Sequence, residues 1–237
     1  MPMTARRPVR AALFDLDGTL MDSETQTDEA IAAVMARHGH PNFSLPHVET
    51  RGRTWEHVAD VIRDLTGIGV PPPVLVSELL ECWNAATADV KPIPGSPAAV
   101  REASASGLKL AVVSSSPRSV IDSFLDRLGV ADCIDRRARI GGDSVTKSKP
   151  DPEGFLLGAR ALDVDPADTL VFEDSRAGLL AARAAGMRSM FIRCVASDVA
   201  ANAALATASL TDYRALPPRF WEGLADGSLD FAGRSYA

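Results

Sequence analysis

The chain has no apolar stretch approaching the roughly 20 residues that cross a bilayer, which argues against a membrane-spanning helix. Its basic start, Arg6, Arg7 and Arg10, leads only into a short apolar run that ends at Asp15, so a cleavable signal sequence is not expected. Positive charge is in short supply too: 25 Lys and Arg against 31 Asp and Glu give a formal net charge of -6. Nucleic acids and anionic membranes require a concentrated positive field, so neither is expected as a partner. Cysteine is scarce. Cys82, Cys133 and Cys194 are odd in number and far apart, with no paired spacing for zinc or a redox couple, and they read as reduced thiols of a cytoplasmic protein. Repeats of fixed period and low-complexity tracts are missing as well.

What is present is a 237-residue chain, 46% hydrophobic, with enough apolar material for a substantial core. Ala11 to Phe14, Leu110 to Val113 and Leu170 to Phe172 are short apolar runs that end in polar residues, the pattern of strands buried on both faces. Segments of helical period alternate with them: Val120, Phe124, Leu125 and Leu128, then Ala177, Leu180, Ala181 and Ala184. Strand and helix in alternation predict an α/β fold with a parallel, Rossmann-like sheet. Between the first two strands, Ile31, Val34 and Met35, then Trp55, Val58, Ala59 and Ile62, then Leu75, Leu79 and Trp83 mark three helices without a strand among them. Residues 22–94 are therefore read as an inserted small all-helical domain, and residues 1–21 with 95–237 as the sheet domain. Lys91 to Pro97, rich in proline, is the expected second hinge.

In an open parallel sheet, ligands bind beyond the carboxyl ends of the strands. Asp15 and Asp17 follow the first strand, Ser114 the second, and Glu173 with Asp174 close the third, so these residues are expected to converge. A carboxylate attacking a phosphoryl group is one anion approaching another, and the site then needs a divalent cation and a fixed positive side chain. Magnesium favours a shell of oxygens, which Asp15, Asp174 and the Asp17 carbonyl offer, with Lys149 neutralising the remainder. The run Ser114, Ser115, Ser116 stands at an expected helix start near Pro117, where free amides suit an anion.

Asp15-Leu-Asp-Gly-Thr19, Ser114, Lys149-Pro150 and Glu173-Asp174 together resemble, in order, the four motifs of the haloacid dehalogenase superfamily. Glu173 to Gly178 and the helical insert resemble its β-phosphoglucomutase-like branch, with a cap domain of the C1 type. The resemblance implies Asp15 as covalent nucleophile and Asp17 as general acid and then base. It implies Ser114, Ser115, Gly18 and Thr19 around the phosphoryl group, and Lys149 between that group and the nucleophile. Magnesium would be held by Asp15, Asp17 and Asp174, with Glu173 either a direct ligand or an acceptor behind one. Asp17 favours phosphoryl transfer, because a departing alcohol needs a proton and a departing halide does not. In the cap, Arg51-Gly-Arg53-Thr54 resembles a substrate-recognition loop; its arginines either grip an anionic or hydroxyl-rich substrate or are ordinary surface residues. Thr27 stands where sugar phosphomutases carry a cap histidine, and Trp55 where they carry an arginine for a distal phosphate.

A calcium-binding loop begun at Asp15 fails on spacing, since its glycine position falls on Leu20 and its terminal glutamate on Gln26. A nucleotide phosphate loop at Gly141 to Ser148 fails because Thr146 replaces its second glycine. The expected activity is a magnesium-dependent phosphatase acting on a small phosphomonoester, a sugar or sugar-acid phosphate, as a monomer or weak homodimer. A sugar phosphomutase is the alternative, and a non-enzymatic phosphorylatable module a distant third.

Overall fold

The computed structural model describes residues 7–237, so the first six residues of the expected sheet domain lie outside the described residues. The apolar runs form β1 (Ala11–Phe14), β2 (Lys109–Val113) and β4 (Thr169–Glu173); between the last two comes the two-residue β3 (Arg139–Ile140), and after them β5 (Arg188–Ile192), β6 (Ala208–Leu210) and β7 (Ser235–Tyr236). All pair in parallel, in the order β3-β2-β1-β4-β5-β6-β7. The chain thus builds outward from β1 to β3, returns to the other side of β1, and continues to β7. The ends of β1 and β4 flank this reversal, where open parallel sheets leave a crevice for ligands.

Every residue of β1 is buried. Ala12 and Phe14 enter the core on one face of the sheet, Ala11 and Leu13 that on the other, the alternation that a strand imposes. On the second of these faces lie α7 (Glu153–Leu162) and α8 (Arg176–Ala184), through Phe155, Ala159, Leu162, Ala181 and Ala182. On the first lie α5 (Ser96–Ala105), α6 (Arg118–Leu128) and α10 (Phe220–Asp226), while α9 (Val199–Ala203) lies in the connection from β5 to β6. An aromatic stack fills this face: Phe172 lies 4.9 Å from Phe14, 5.4 Å from Trp221 and 5.9 Å from Tyr213, ring centre to ring centre.

Between β1 and α5 the chain forms only helices: α1 (Glu24–Arg37), α2 (His47–Thr50), α3 (Trp55–Thr66) and α4 (Pro72–Ala86). The stripes expected from the sequence are buried, with Ile31, Val34 and Met35 on α1, Trp55, Val58, Ala59 and Ile62 on α3, and Leu75, Leu79 and Trp83 on α4. Thr54 caps the start of α3 and Gly67, at φ 67°, ends it in the left-handed conformation glycine tolerates. Helices α1 and α3 both pack on α4. Trp83 meets Trp55 edge-on at 6.2 Å and Phe124 of α6 at 5.8 Å, so one ring joins the cap to the sheet domain. The two connections to the cap run side by side: Asp22 N donates to Lys91 O and Ile93 N to Leu20 O, both at 2.9 Å. Among the described residues no helix is long and apolar enough to cross a membrane.

Replacing Phe172, fully buried in the aromatic stack, removes a large apolar volume that rigid neighbours cannot refill. Phe172→Ala is expected to lower unfolding free energy by about 3–5 kcal/mol, measured by chemical denaturation.

Candidate active site

Asp15 is the first residue past β1, and its amide donates to Phe172 O at 3.0 Å, which carries the sheet pairing up to the site. The chain then turns tightly. Gly18 takes φ 77°, and its amide donates to Met21 O at 2.7 Å. A Cβ at Gly18 would collide with the Asp174 carboxylate, so glycine is what lets the turn after β1 and the end of β4 touch. Thr19, fully buried, donates its hydroxyl to Asp174 Oδ1 at 3.2 Å; its side chain serves the carboxylate and does not line the cavity above.

Lys149 reaches in from the loop before α7 and donates to Asp15 Oδ1 and, at 3.0 Å, to Glu173 Oε1. Its ammonium lies 5.0 Å from the centre of the Phe155 ring. Burial by itself would lower the Lys149 pKa, but Asp15 and Glu173 outweigh it, and the group is held charged. Glu173 is saturated. Its Oε1 also accepts Ser175 Oγ at 2.9 Å, and its Oε2 accepts the amides of Asp174 at 2.8 Å and Ser175 at 3.3 Å. Four donors use the roughly four acceptor positions of a carboxylate. Ser175 Oγ also accepts Gly178 N at 3.0 Å, capping α8.

Asp15, Glu173 and Asp174 bring one carboxylate oxygen each within 4.8 Å of one another. Burial, then the charge of Glu173, pushes the Asp15 carboxyl well up despite Lys149, and burial with Glu173 does the same to Asp174. Asp174 Oδ2 is buried with no hydrogen-bond partner. Such a centre is short of positive charge and holds an unsatisfied oxygen, the condition a hard cation relieves.

Asp17 faces the other way, toward three serine hydroxyls. Ser23 donates to its Oδ1 at 2.7 Å, and Ser116 and Ser114 donate to its Oδ2 at 2.8 and 3.2 Å. Burial raises the Asp17 pKa and these hydrogen bonds, which favour the charged form, hold the rise in check. The Ser114 hydroxyl also accepts the Ser116 amide at 2.9 Å. Ser23 escaped the sequence reading, which took Ser116 only as a member of the serine run at the helix start and not as a partner of Asp17.

Over these residues lies a cavity of about 30 Å³ lined by Asp15, Asp17, Ser115 and Ser116 below and by Glu24, Thr27, Thr50, Arg53, Trp55 and Trp83 from the cap. The loop at Arg51 to Arg53 fastens cap to sheet domain: Ser115 Oγ donates to Gly52 O at 2.8 Å, Arg53 Nη1 to Lys149 O at 2.9 Å, and Arg51 Nη1 to Val195 O at 2.6 Å. Arg53 and Thr27 line the cavity. Arg51 does not; its guanidinium is committed to Val195 and to Glu24, 3.5 Å away. Glu24 is a cavity residue that the sequence reading passed over.

Sheet and site together define an α/β enzyme whose chemistry is centred on carboxylates and one buried lysine at the strand ends. The chain belongs to the haloacid dehalogenase-like hydrolase family, whose profile matches residues 12–192. It is 38% identical to validoxylamine A 7'-phosphate phosphatase of Streptomyces hygroscopicus subsp. limoneus over 75% of this chain and 83% of that one. To a plasmid-borne phosphoglycolate phosphatase of Cupriavidus necator it is 30% identical, over 90% and 94%. A crystal structure of CbbY from Rhodobacter sphaeroides with phosphate superposes with a TM-score of 0.67 at 27% identity, covering 78% of this chain and 86% of that one. β-Phosphoglucomutase from Clostridium difficile shares the fold, with a TM-score of 0.77 at 19% identity over 93% and 98%. With relatives of these names, the chain is classed as a phosphoric monoester hydrolase.

The Glu173 carboxylate packs so tightly over the start of α8 that a Cβ at Gly178 would overlap it. Gly178→Ala is expected to displace Glu173, and Lys149 with it, lowering kcat/KM on the order of a hundredfold in steady-state assays while circular dichroism stays native.

Proposed function

We propose that this chain hydrolyses the phosphomonoester of a small sugar-like metabolite through an aspartyl-phosphate on Asp15, with residues 22–94 acting as a lid. The observation that carries the reading is the division of labour between two buried aspartates. Asp15 is ion-paired to Lys149, whereas Asp17 is held by three hydroxyls on a separate bearing. Asp15 attacks phosphorus as the P–O bond to the leaving alcohol breaks, and Asp17 gives that oxygen its proton. Asp17 then takes a proton from water, which attacks phosphorus and frees Asp15. Lys149 offsets the repulsion between nucleophile and phosphoryl oxygens.

The residues present fit magnesium. Asp15, Asp174 with its unsatisfied Oδ2, and the carbonyl of Asp17 would hold it, and bound there it would supply the further positive charge that phosphoryl transfer requires. The four donors on Glu173 support a bracing role for it, fixing Lys149, in place of direct ligation. Thr19 likewise fits the task of orienting Asp174, not of binding phosphate. Ser114 and the amides at Ser115 and Ser116 remain the groups proposed for the phosphoryl oxygens.

A mutase is disfavoured on two observations. Thr27 accepts the Trp83 indole at 3.2 Å and has no acid–base chemistry near neutrality, and Arg53 is the one cationic residue among those lining the cavity.

Asp15→Asn should abolish magnesium-dependent phosphate release while leaving thermal unfolding near that of the parent; phosphate release close to the parent rate would sink the mechanism. Ser116→Ala removes a hydrogen bond that favours the Asp17 anion, so the Asp17 pKa should rise further. The acid then stays protonated to higher pH, and the alkaline limb of the kcat/KM profile should move upward.

A further inference from the structure

The polar groups of the cap side of the cavity are few and asymmetric. Glu24 and Thr27 lie three residues apart on α1, on one side of the helix. The Glu24 side chain is 6% exposed and borders the cavity, yet among the described residues it meets only Arg51 Nε, at 3.5 Å, too far and too poorly placed for a hydrogen bond. A buried carboxylate with unused acceptor positions asks for donors. Burial above all pushes its pKa up to about 8, and hydroxyl or ammonium donors from a ligand are what would bring it back down and hold the anion. The Thr27 hydroxyl, already accepting from Trp83 Nε1, keeps its own proton for a ligand oxygen. The same cavity is lined by the rings of Trp55 and Trp83, inclined by 67°, and by Val58. Rigid aromatic walls together with a donor and an acceptor suit a ring that is apolar on its C–H face and polar at its rim.

The same cavity is ill suited to a second anion. Arg53 is its one cationic lining residue and already gives two of its five donors to Lys149 O at 2.9 Å and Val48 O at 3.4 Å, and Arg51 points away to Val195. A carboxylate or second phosphate on the leaving group would meet that single guanidinium against the carboxyl groups of Asp15, Asp17 and Glu24.

Building on the phosphatase reading, we propose that the leaving group is a polyhydroxylated ring without a second anionic group, its hydroxyls or an amine donating to Glu24. This departs from the sugar-acid class that the arginine loop suggests in sequence.

The test compares kcat/KM, with magnesium, for glucose 6-phosphate and glucosamine 6-phosphate against 6-phosphogluconate and fructose 1,6-bisphosphate. p-Nitrophenyl phosphate reports on the phosphoryl centre alone. The two neutral or amine-bearing rings should exceed the acid and the bisphosphate by about tenfold or more. Glu24→Gln should narrow that gap, with the largest loss for the amino sugar. Equal or better turnover of 6-phosphogluconate or the bisphosphate, or a gap unmoved in Glu24→Gln, overturns the proposal while p-nitrophenyl phosphate hydrolysis keeps the phosphatase reading intact. If neither p-nitrophenyl phosphate nor any of the sugar phosphates is hydrolysed, the phosphatase reading falls, and calorimetric binding to the parent protein decides the other: tighter glucose 6-phosphate than 6-phosphogluconate upholds it, and the reverse order overturns it.

Discussion

The ion pairing of Lys149 with Asp15 and Glu173 is the constraint around which this molecule is arranged. Three charges withdrawn from water are costly unless geometry and hydrogen bonding are nearly complete. Much of the surrounding architecture supplies that completeness. Parallel pairing of β1 with β4 sets the two carboxylates side by side, Phe155 supports the ammonium from below, and Ser175 and two amides fill the remaining positions on Glu173. Glycine at 178 permits the closeness this requires. What the pairing leaves unsatisfied, Asp174 Oδ2, is the oxygen that fits a cation.

A second set of contacts joins this rigid base to the cap. Ser115, Lys149 and Val195 each hold one residue of the Arg51 to Arg53 loop, two of the three through backbone carbonyls. Hydrogen bonds of this type contribute about 1 kcal/mol apiece, enough to favour closure and weak enough to release it. On the proposed reading, in which the cap is a lid, these three contacts are the ones that would break and re-form as ligand enters and leaves.

Much of the base was legible in the sequence because its signals are local. The three apolar runs, the acidic residues at their ends and the helical stripes of the cap each declare themselves within a few residues. The four outer strands did not. β3 and β7 have two residues each, β5 opens with Arg188 and Ser189, and β6 sits in an alanine-rich stretch whose composition suits a helix as well. They are strands because a neighbouring edge is waiting for them. The site shows the same split. Asp15, Asp17, Lys149, Glu173 and Asp174 fall in motifs, whereas the placing of Glu24 beside the cavity, or the diversion of Arg51 to Val195, depends on where the cap comes to rest, which no spacing encodes.

The central position of β1 has a consequence for how the protein comes into being. Ala11 pairs with Lys109 on one side and with Thr169 on the other, so the strand that bears Asp15 lies between partners synthesised much later. Such long-range pairings are slow to form, because loop closure must precede the gain. Until the segment through Asp174 has joined the sheet, Asp15 has neither Glu173 nor Asp174 as a neighbour. The carboxylate cluster of Asp15, Glu173 and Asp174 is therefore assembled only after most of the chain has been made, when the sheet closes around its first strand.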